Sequence, residues 1–390
     1  MKKNSANLER FWKGSFLLLE KQLPETSPFL IFAFVLLFRT YRGWYGRLTL
    51  GGIARCLPTE GGGRSRYKRV TRFLDNKNFK MINLTTDLVH LTYPEENLLP
   101  IIIDQTQIGD VQVISANVPA EGRSIPLAIS TFEYGKIERS QNLIEEKFLT
   151  TLSSCLPKGI KAVQIADRGY GKSILLKNRL QRKELFIIRG KRDVVIHYEE
   201  NGKTCRKSVG RLKHSLGKAR RYRNCLYQGK KEIKVDVVVY RQRSFKEPWF
   251  LLVPSGKEDI LSTERVVELY RRRMNIEVTF RDFKSQLGVR GLSLRVRKGQ
   301  RLDRLLGVIV LTYILLLALG MSEIGISLRK KIEILRPKAR HGTRRTLSVL
   351  TVSLFAISDT FLLTRDNLIN ILTECLNWLV REKVFLLPSF

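Results

Sequence analysis

Between Leu98 and Arg189 the apolar positions come in short runs rather than at helical spacing. "LLPIIIDQT", "DVQVISANVP" and "SIPLAISTFE" are rich in β-branched residues and follow one another through tight links, which predicts three consecutive strands. A helical pattern covers Gln141 to Ser154. After it come a strand in "AVQIADRG", a helix near Lys172 to Leu180 and a strand in "ELFIIRG". Three meandering strands followed by alternating helices and strands predict an α/β (α+β) domain, a mixed sheet with helices packed on it.

The flanks read differently. Residues 1–95 have helical periodicity, with segments at Leu17 to Leu23, Phe29 to Arg39 and Tyr67 to Leu74. Residues 96–190 form the first part of the sheet domain. Residues 191–246 break its pattern, because the basic stretch "RLKHSLGKARRYRNC" lies between the β-like pieces "DVVIHYEE" and "KEIKVDVVVYRQR", and a β-rich basic insertion is expected there. Residues 247–320 return to the core with the strand "PWFLLVPS" and a helix capped by Ser262 or Thr263. Residues 321–390 form a helical C-terminal region, so the chain is expected to be helical from Arg290 to its end.

Two apolar runs qualify this picture, "PFLIFAFVLLF" from Pro28 and "LLGVIVLTYILLLALGM" from Leu305. The first is too short to span a bilayer and the second is at the lower limit. Both are read as buried core helices, and no membrane association is expected.

Charge narrows the function. Seventy Lys and Arg against 36 Asp and Glu give a formal net charge of +34, spread along the chain, and this points to a polyanion partner, with nucleic acid foremost. In "LTLGGIARCLPTEGGGRSRYKRVTRFLDN" a helix capped by Thr49, a Gly-rich break and a basic helix have the outline of a helix-turn-helix. Arg64, Arg66, Lys68, Arg69 and Arg72 are its candidate DNA contacts. The five cysteines lie far apart, with no CxxC and no His at metal-ligand spacing, which excludes a zinc or disulfide framework. The N-terminus has no apolar segment of the secretory kind, so a cytoplasmic location is expected.

Two features carry chemistry. Asp104 closes a wholly apolar strand with no Gly or Pro to turn the chain, and Asp167 ends the strand "AVQIA". Read alone, Asp167 before Arg-Gly is a turn or cap residue. The second feature is "YRRRMNIEVTFRDFK". At about 100° per residue Tyr270, Arg273, Glu277 and Lys284 fall within a stripe of about 60°, with Arg281 on its edge. Leu269, Ile276, Phe280, Phe283 and Leu287 form a separate apolar stripe. A solvated face laced by i,i+4 pairs, Glu277 with Arg273 and Arg281, explains the charged row without function. The alternative joins Glu277 to Asp104 and Asp167. Three carboxylates suffice for two Mg²⁺ (or Mn²⁺) ions, which activate water or a 3′-hydroxyl on one side of a phosphodiester and neutralise the leaving oxygen on the other.

Tyr270-x2-Arg273-x3-Glu277-x6-Lys284 resembles the Y-R-E-K signature of bacterial insertion-sequence transposases of family four, DDE enzymes with a ribonuclease-H-like core. "IIIDQTQ" is similar to the family's first-Asp strand and "ADRGYG" to its second-Asp region, and the long separation before Glu277 suits an insertion. The resemblance implies a ribonuclease-H-like mixed sheet and a metal-binding catalytic triad of Asp104, Asp167 and Glu277. It also implies that Tyr270, Arg273 and Lys284 grip the DNA end, and that a homodimer pairs inverted-repeat ends for cut-and-paste transposition into target DNA. Of the Trp residues that could hold a flipped base in a hairpin intermediate, Trp249 and Trp378 come late enough, and Trp249 reads as a buried aromatic. The alternatives are a metal-dependent nuclease on the same core and a non-catalytic DNA-binding protein derived from a transposase.

Overall fold

In the computed structural model the described residues are Ala33, Leu36 and 48–358, apart from 58–60, 79, 93–97, 121, 138–139, 293, 295–297 and 341–342. Of the sequence expectations, the segments Leu17 to Leu23 and Phe29 to Arg39, the latter with most of the run from Pro28, lie outside these residues except for Ala33 and Leu36, which are helical and buried. Trp378, Cys375 and the stretch from 359 onward lie outside them too.

The expected strands form. β1 (Leu99–Ile108), β2 (Val111–Ala120) and β3 (Arg123–Glu133) are an antiparallel meander, and Gly109, at φ 61, makes the first link. Helix α4 (Gln141–Cys155) leads into β4 (Ala162–Ala166), and α5 (Ser173–Gln181) into β5 (Leu185–Arg189). β4 lies parallel to both β1 and β5.

The basic segment continues the same sheet instead of interrupting it. β6 (Val195–Glu200), β7 (Lys203–Ser208), β8 (Arg220–Tyr227) and β9 (Lys234–Tyr240) join it through β10 (Trp249–Pro254), which is antiparallel to both β9 and β5. The strand order is β3-β2-β1-β4-β5-β10-β9-β8-β6-β7. Large mixed sheet and flanking helices together make a ribonuclease-H-like architecture.

Alternation sorts the side chains onto two faces. Leu98, Val163, Ile165, Ile187, Leu251 and Val253 pack with Val266, Val267, Leu269 and Tyr270 of α6 (Thr263–Arg271). Each such large apolar side chain contributes about 1.5–3 kcal/mol by leaving water. Ile101, Ile103, Ala166, Phe186, Ile188 and Leu252 belong to the other cluster, with Phe148 and Leu149 of α4 and Leu175 and Leu176 of α5. Ser262 caps α6, accepting from the Arg265 N–H at 3.2 Å.

Towards the N-terminus, Thr49 caps α1 (Leu50–Cys56), accepting from the Gly52 N–H at 3.0 Å. α2 (Gly63–Asp75) is the expected basic helix and packs on α1. α3 (Thr85–Thr92) precedes β1. The Leu305 run lies in α8 (Lys298–Met321), which follows α7, the helix of Glu277 described below. α8 is long and apolar enough to cross a membrane, but 94% of its apolar window is buried inside the protein, so it is a core helix. α9 (Glu323–Ile332) and α10 (Val349–Ser358) follow. Between them the described residues of 333–348 are not helical and include an Arg340–Thr343 bridge. The expectation of unbroken helix beyond Arg290 fails there, where "RPKARHGTRR" has no apolar period to bury.

Candidate active site

Asp104 does not end its strand. β1 continues to Ile108 because the hairpin with β2 carries it onward. What ends at this point is the parallel ladder, whose last pair is Ile103 with Ala166. Asp104 and Asp167 each follow that pair, so both stand where β1 and β4 part. Asp167 precedes a 3₁₀ turn (Arg168–Tyr170) as its N-cap, but its side chain makes no cap hydrogen bond. The turn is closed by the backbone instead, the Tyr170 N–H donating to the Asp167 carbonyl at 3.0 Å. The capping role that the sequence allowed therefore does not use the carboxylate.

The "YRRRMNIEVTFRDFK" segment is not one regular α-helix. α6 passes through a 3₁₀ turn (Arg272–Met274) into α7 (Asn275–Arg281) and then a π-helical turn (Asp282–Gln286), which Gly288 at φ 72 terminates. Buried Asp282 accounts for the widening. It is ion-paired to Arg123 of β3 at 2.6 Å and accepts from the Tyr313 hydroxyl of α8 at 3.1 Å, while Thr279 donates to the Ser124 carbonyl at 2.9 Å. π turns of this kind are frequent at functional sites.

This anchoring aims the polar residues at β1. The Arg273 guanidinium donates to Asp104 Oδ2 at 3.0 Å and to Glu277 Oε1 at 2.7 Å. The i,i+4 pair of the solvated-face reading therefore exists, yet the same guanidinium also reaches an acid from a distant strand. Lys284 Nζ donates to the Thr106 hydroxyl at 2.6 Å. Thr106 is two residues beyond Asp104 and so on the same face of β1; alternation could have singled it out, but it went unnoticed in the sequence. Arg281 is exposed.

Tyr270 departs from the expected solvated stripe. It is 3% exposed and packs edge-on against Trp249, ring centres 4.9 Å apart. Trp249 in turn stacks on Phe245 at 4.5 Å, so it is engaged among aromatics, as its place in a core strand suggested. The Tyr270 hydroxyl is buried and makes no hydrogen bond, and burial pushes its phenol up to about 12.

Asp104 senses the other two acids. Burial raises the Asp104 carboxyl above its ordinary value, the Gln105 N–H and Arg273 oppose this, and Asp167 and Glu277 push it further up. Among the described residues no three His, Cys, Asp or Glu side chains close around a point as metal ligands do; Arg273 instead supplies a countercharge to Asp104 and Glu277. In donor chemistry alone the set is of the kind a hard divalent ion takes. It is all carboxylate oxygen, on rigid elements, and two of its members already share a cation.

On α2, Arg64, Lys68, Arg69 and Arg72 are exposed, whereas Arg66 is half-buried, its Nε donating to the Gly61 carbonyl at 3.1 Å. Val70, Phe73 and Leu74 form the buried side of the helix. Arg301 of α8 holds its last residue, Asp75, through two bonds of 2.9 and 2.7 Å.

A large mixed sheet flanked by helices defines the class as a ribonuclease-H-like core. A family model described as transposase DDE domain matches residues 142–315, somewhat under half of the chain. No curated protein matches it. The match supports a DDE transposase, and with it transposase function in general, DNA as partner and dependence on a divalent metal. Asp167 and Glu277 fall inside the matched stretch and Asp104 before it. The standing of Asp104 therefore rests on the β1–β4 ladder and on Arg273.

Proposed function

We propose that this protein is an insertion-sequence transposase of family four that cuts its element at the inverted-repeat ends and joins the freed ends to target DNA. The observation that carries the reading is Arg273, which bridges an acid of β1 and an acid of α7 at 3.0 and 2.7 Å beside the end of β4. Asp104, Asp167 and Glu277 would hold two Mg²⁺ or Mn²⁺ ions, which supply nucleophile activation and charge neutralisation at phosphorus. In the first reaction water attacks the phosphodiester at the element end and a 3′-hydroxyl leaves. In the second that hydroxyl attacks a target phosphodiester, and the target's own 3′-oxygen leaves with the proton.

The chain's side chains position the DNA for both steps. The orphaned Tyr270 hydroxyl would donate to a phosphate oxygen once DNA displaces the aromatic cover over it, and Arg281 of α7 and Lys284 of the π turn would line the approach. Arg64, Arg66, Lys68, Arg69 and Arg72 would track the duplex backbone, a role that fixes register rather than reads sequence. A homodimer holding two ends, in the cytoplasm and on the nucleoid when DNA-bound, completes the proposal.

The test is single-turnover cleavage and strand transfer on paired element ends by the wild-type chain and by Asp104→Ala, Asp167→Ala and Glu277→Ala. Each variant is expected to bind the ends and lose cleavage. A variant that still cuts at the wild-type rate refutes the triad, and cutting without joining by the wild type makes the protein a nuclease.

A further inference from the structure

Behind the acids, on the opposite face of β1, lies a polar cluster that the proposed chemistry does not use. Gln105 follows Asp104, so its side chain points away from the site. Its amide donates to Glu145 Oε1 of α4 at 2.8 Å and to the Tyr170 hydroxyl at 3.1 Å, and its carbonyl accepts from Gln141 at 3.0 Å. Gln141 also donates to Glu145 Oε1 at 2.8 Å. The other oxygen of Glu145 takes the Lys172 ammonium at 2.9 Å, and Lys172 also donates to Asn142 at 2.6 Å.

The arrangement is costly unless it does something. Glu145 is 2% exposed and Tyr170 4%, and a carboxylate at that depth is tolerated only when paired and hydrogen-bonded. A methionine or leucine on α4 would fill the space with no such requirement. Tyr170 ends the turn that Asp167 begins, three residues on, and Lys172, five residues on, is the N-cap of α5 that follows it. One buried carboxylate thus reaches both acid-bearing segments, through Gln105 to the Asp104 position of β1 and through Lys172 to the Asp167 turn.

We propose that Glu145, acting through Gln105, Tyr170 and Lys172, is a positioning residue that sets the spacing of Asp104 and Asp167. The two acids share a parallel ladder only as far as Ile103 and Ala166. Beyond that pair the main chains diverge, and no ladder hydrogen bond fixes one carboxylate relative to the other. Catalytic groups tolerate displacements of only about 0.5 Å, and the Glu145 cluster is the cross-brace available where the ladder stops. The inference rests on the triad reading of the proposed function.

The experiment uses the full chain and four variants, Glu145→Ala, Glu145→Gln, Gln105→Ala and Asp104→Ala. Three quantities are measured for each: thermal melting, the rise in melting temperature on adding Mn²⁺ alone, and single-turnover cleavage of a pre-bound element end. Gln105→Ala removes a half-buried side chain and leaves Glu145 paired with Lys172, so it is expected to melt like wild type while cleavage slows at least about tenfold and the Mn²⁺ response shrinks. Glu145→Gln can still accept from Gln105 and should recover part of the cleavage that Glu145→Ala loses. Wild-type cleavage and Mn²⁺ response in Gln105→Ala overturn the proposal, as does a loss in the Glu145 variants that follows melting alone. Asp104→Ala separates the two levels of argument. If it cuts like wild type the triad reading fails; if it is dead while the Gln105 and Glu145 variants respond normally, only the brace fails.

Discussion

Replacing Arg273 with alanine removes the countercharge that Asp104 and Glu277 share, and the structure sets the size of the effect. The side chains of the Arg273–Asp104 pair are 12% and 21% exposed, between a surface pair worth 0–1 kcal/mol and a buried pair whose rupture costs 3–5. The Glu277 end is 47% exposed and adds a few tenths at most. Arg273→Ala should therefore destabilise the apo protein by about 2 kcal/mol, a few degrees of melting temperature. It should also uncover the acids. In the wild type a divalent ion competes with the guanidinium for Asp104 and Glu277, whereas in the variant it does not. An ion at ten times its Kd stabilises by about 1.4 kcal/mol, so Mg²⁺ should raise the melting temperature of the variant more than that of the wild type. Cleavage of a pre-bound end should nonetheless fall at least roughly tenfold, because under the proposed function the guanidinium would also orient the scissile phosphate. Arg273→Lys should recover the apo stability better than the cleavage, since a point charge lacks the fork that spans two acids. Melting curves with and without Mg²⁺, beside single-turnover rates, check each step. Equal stability, equal Mg²⁺ response and equal cleavage in Arg273→Ala would return the bridge to a surface pair.

Other predictions follow from neighbouring groups. Thr106→Val, which takes the 2.6 Å acceptor from Lys284, should slow cleavage severalfold without weakening DNA binding, and Lys284→Ala should slow it more; single-turnover rates and a binding isotherm separate the two. Non-specific DNA affinity should fall steeply with salt, roughly a thousandfold between 50 and 200 mM if six phosphates are neutralised, and a flat titration would deny the basic surface that role. Asp303 on α8 is half-buried, and the desolvation raises its carboxyl from 3.8 to about 6 although the Met81 N–H opposes the rise. Between those values the folded chain holds a proton that the unfolded chain releases, so stability falls as pH rises through the window, by about 3 kcal/mol in all. Asp303→Asn should abolish that fall, visible as melting that matches wild type near pH 4 and exceeds it at pH 7.

The sheet was legible because its strands are β-branched and separated by turn residues; the sequence put Asp104 and Asp167 at strand ends but did not assign them a face of the sheet. What escaped the pattern was non-local. No periodicity says that a ladder will stop after Ile103 and Ala166 while β1 runs on to Ile108, since this depends on the relative lengths of two partners. The regular-helix projection of Tyr270 to Lys284 put Arg273 beside Glu277, as the structure does, but misjudged the surroundings of Tyr270. Tyr270 is enclosed because Trp249, the first residue of β10, packs against it with Phe245 stacked behind, and the π turn begins at Asp282, whose partners Arg123 and Tyr313 come from elsewhere in the chain. The basic stretch from Lys191 to Lys246 reads as an insertion because its charge interrupts the apolar pattern; its strands nevertheless carry enough apolar positions, Val235, Val237 and Val239 among them, to extend the core sheet.

That extension bears on how the site is held. The Tyr227 hydroxyl, at the end of β8, donates to the Gly171 carbonyl at 2.6 Å. Gly171 also abuts the Arg189 carbonyl, and a Cβ there would lie 3.4 Å from the Arg168 carbonyl. Glu247, just before β10, pairs with Arg168 at 2.7 Å and with Arg189. The turn that starts at Asp167 is thus gripped by Tyr227 of the 191–246 segment, a buried phenol, and by Glu247 just after that segment, through an ion pair of which both partners are partly exposed. The two grips differ in what DNA could do to them. A phosphate can compete with Glu247 for Arg168 and Arg189, since all three are reachable from solvent, whereas nothing polar can displace Tyr227, which is 1% exposed. Tyr227→Phe should therefore loosen the Asp167 turn whether or not DNA is bound, and Glu247→Gln should act mainly on the free protein, raising its affinity for DNA by releasing two arginines. Hydrogen exchange of the Tyr170 and Gly171 amides, measured with and without an element end, distinguishes the two. Equal effects of both substitutions in both states would mean that the segment braces the turn as a single unit and that the ion pair does not open to DNA.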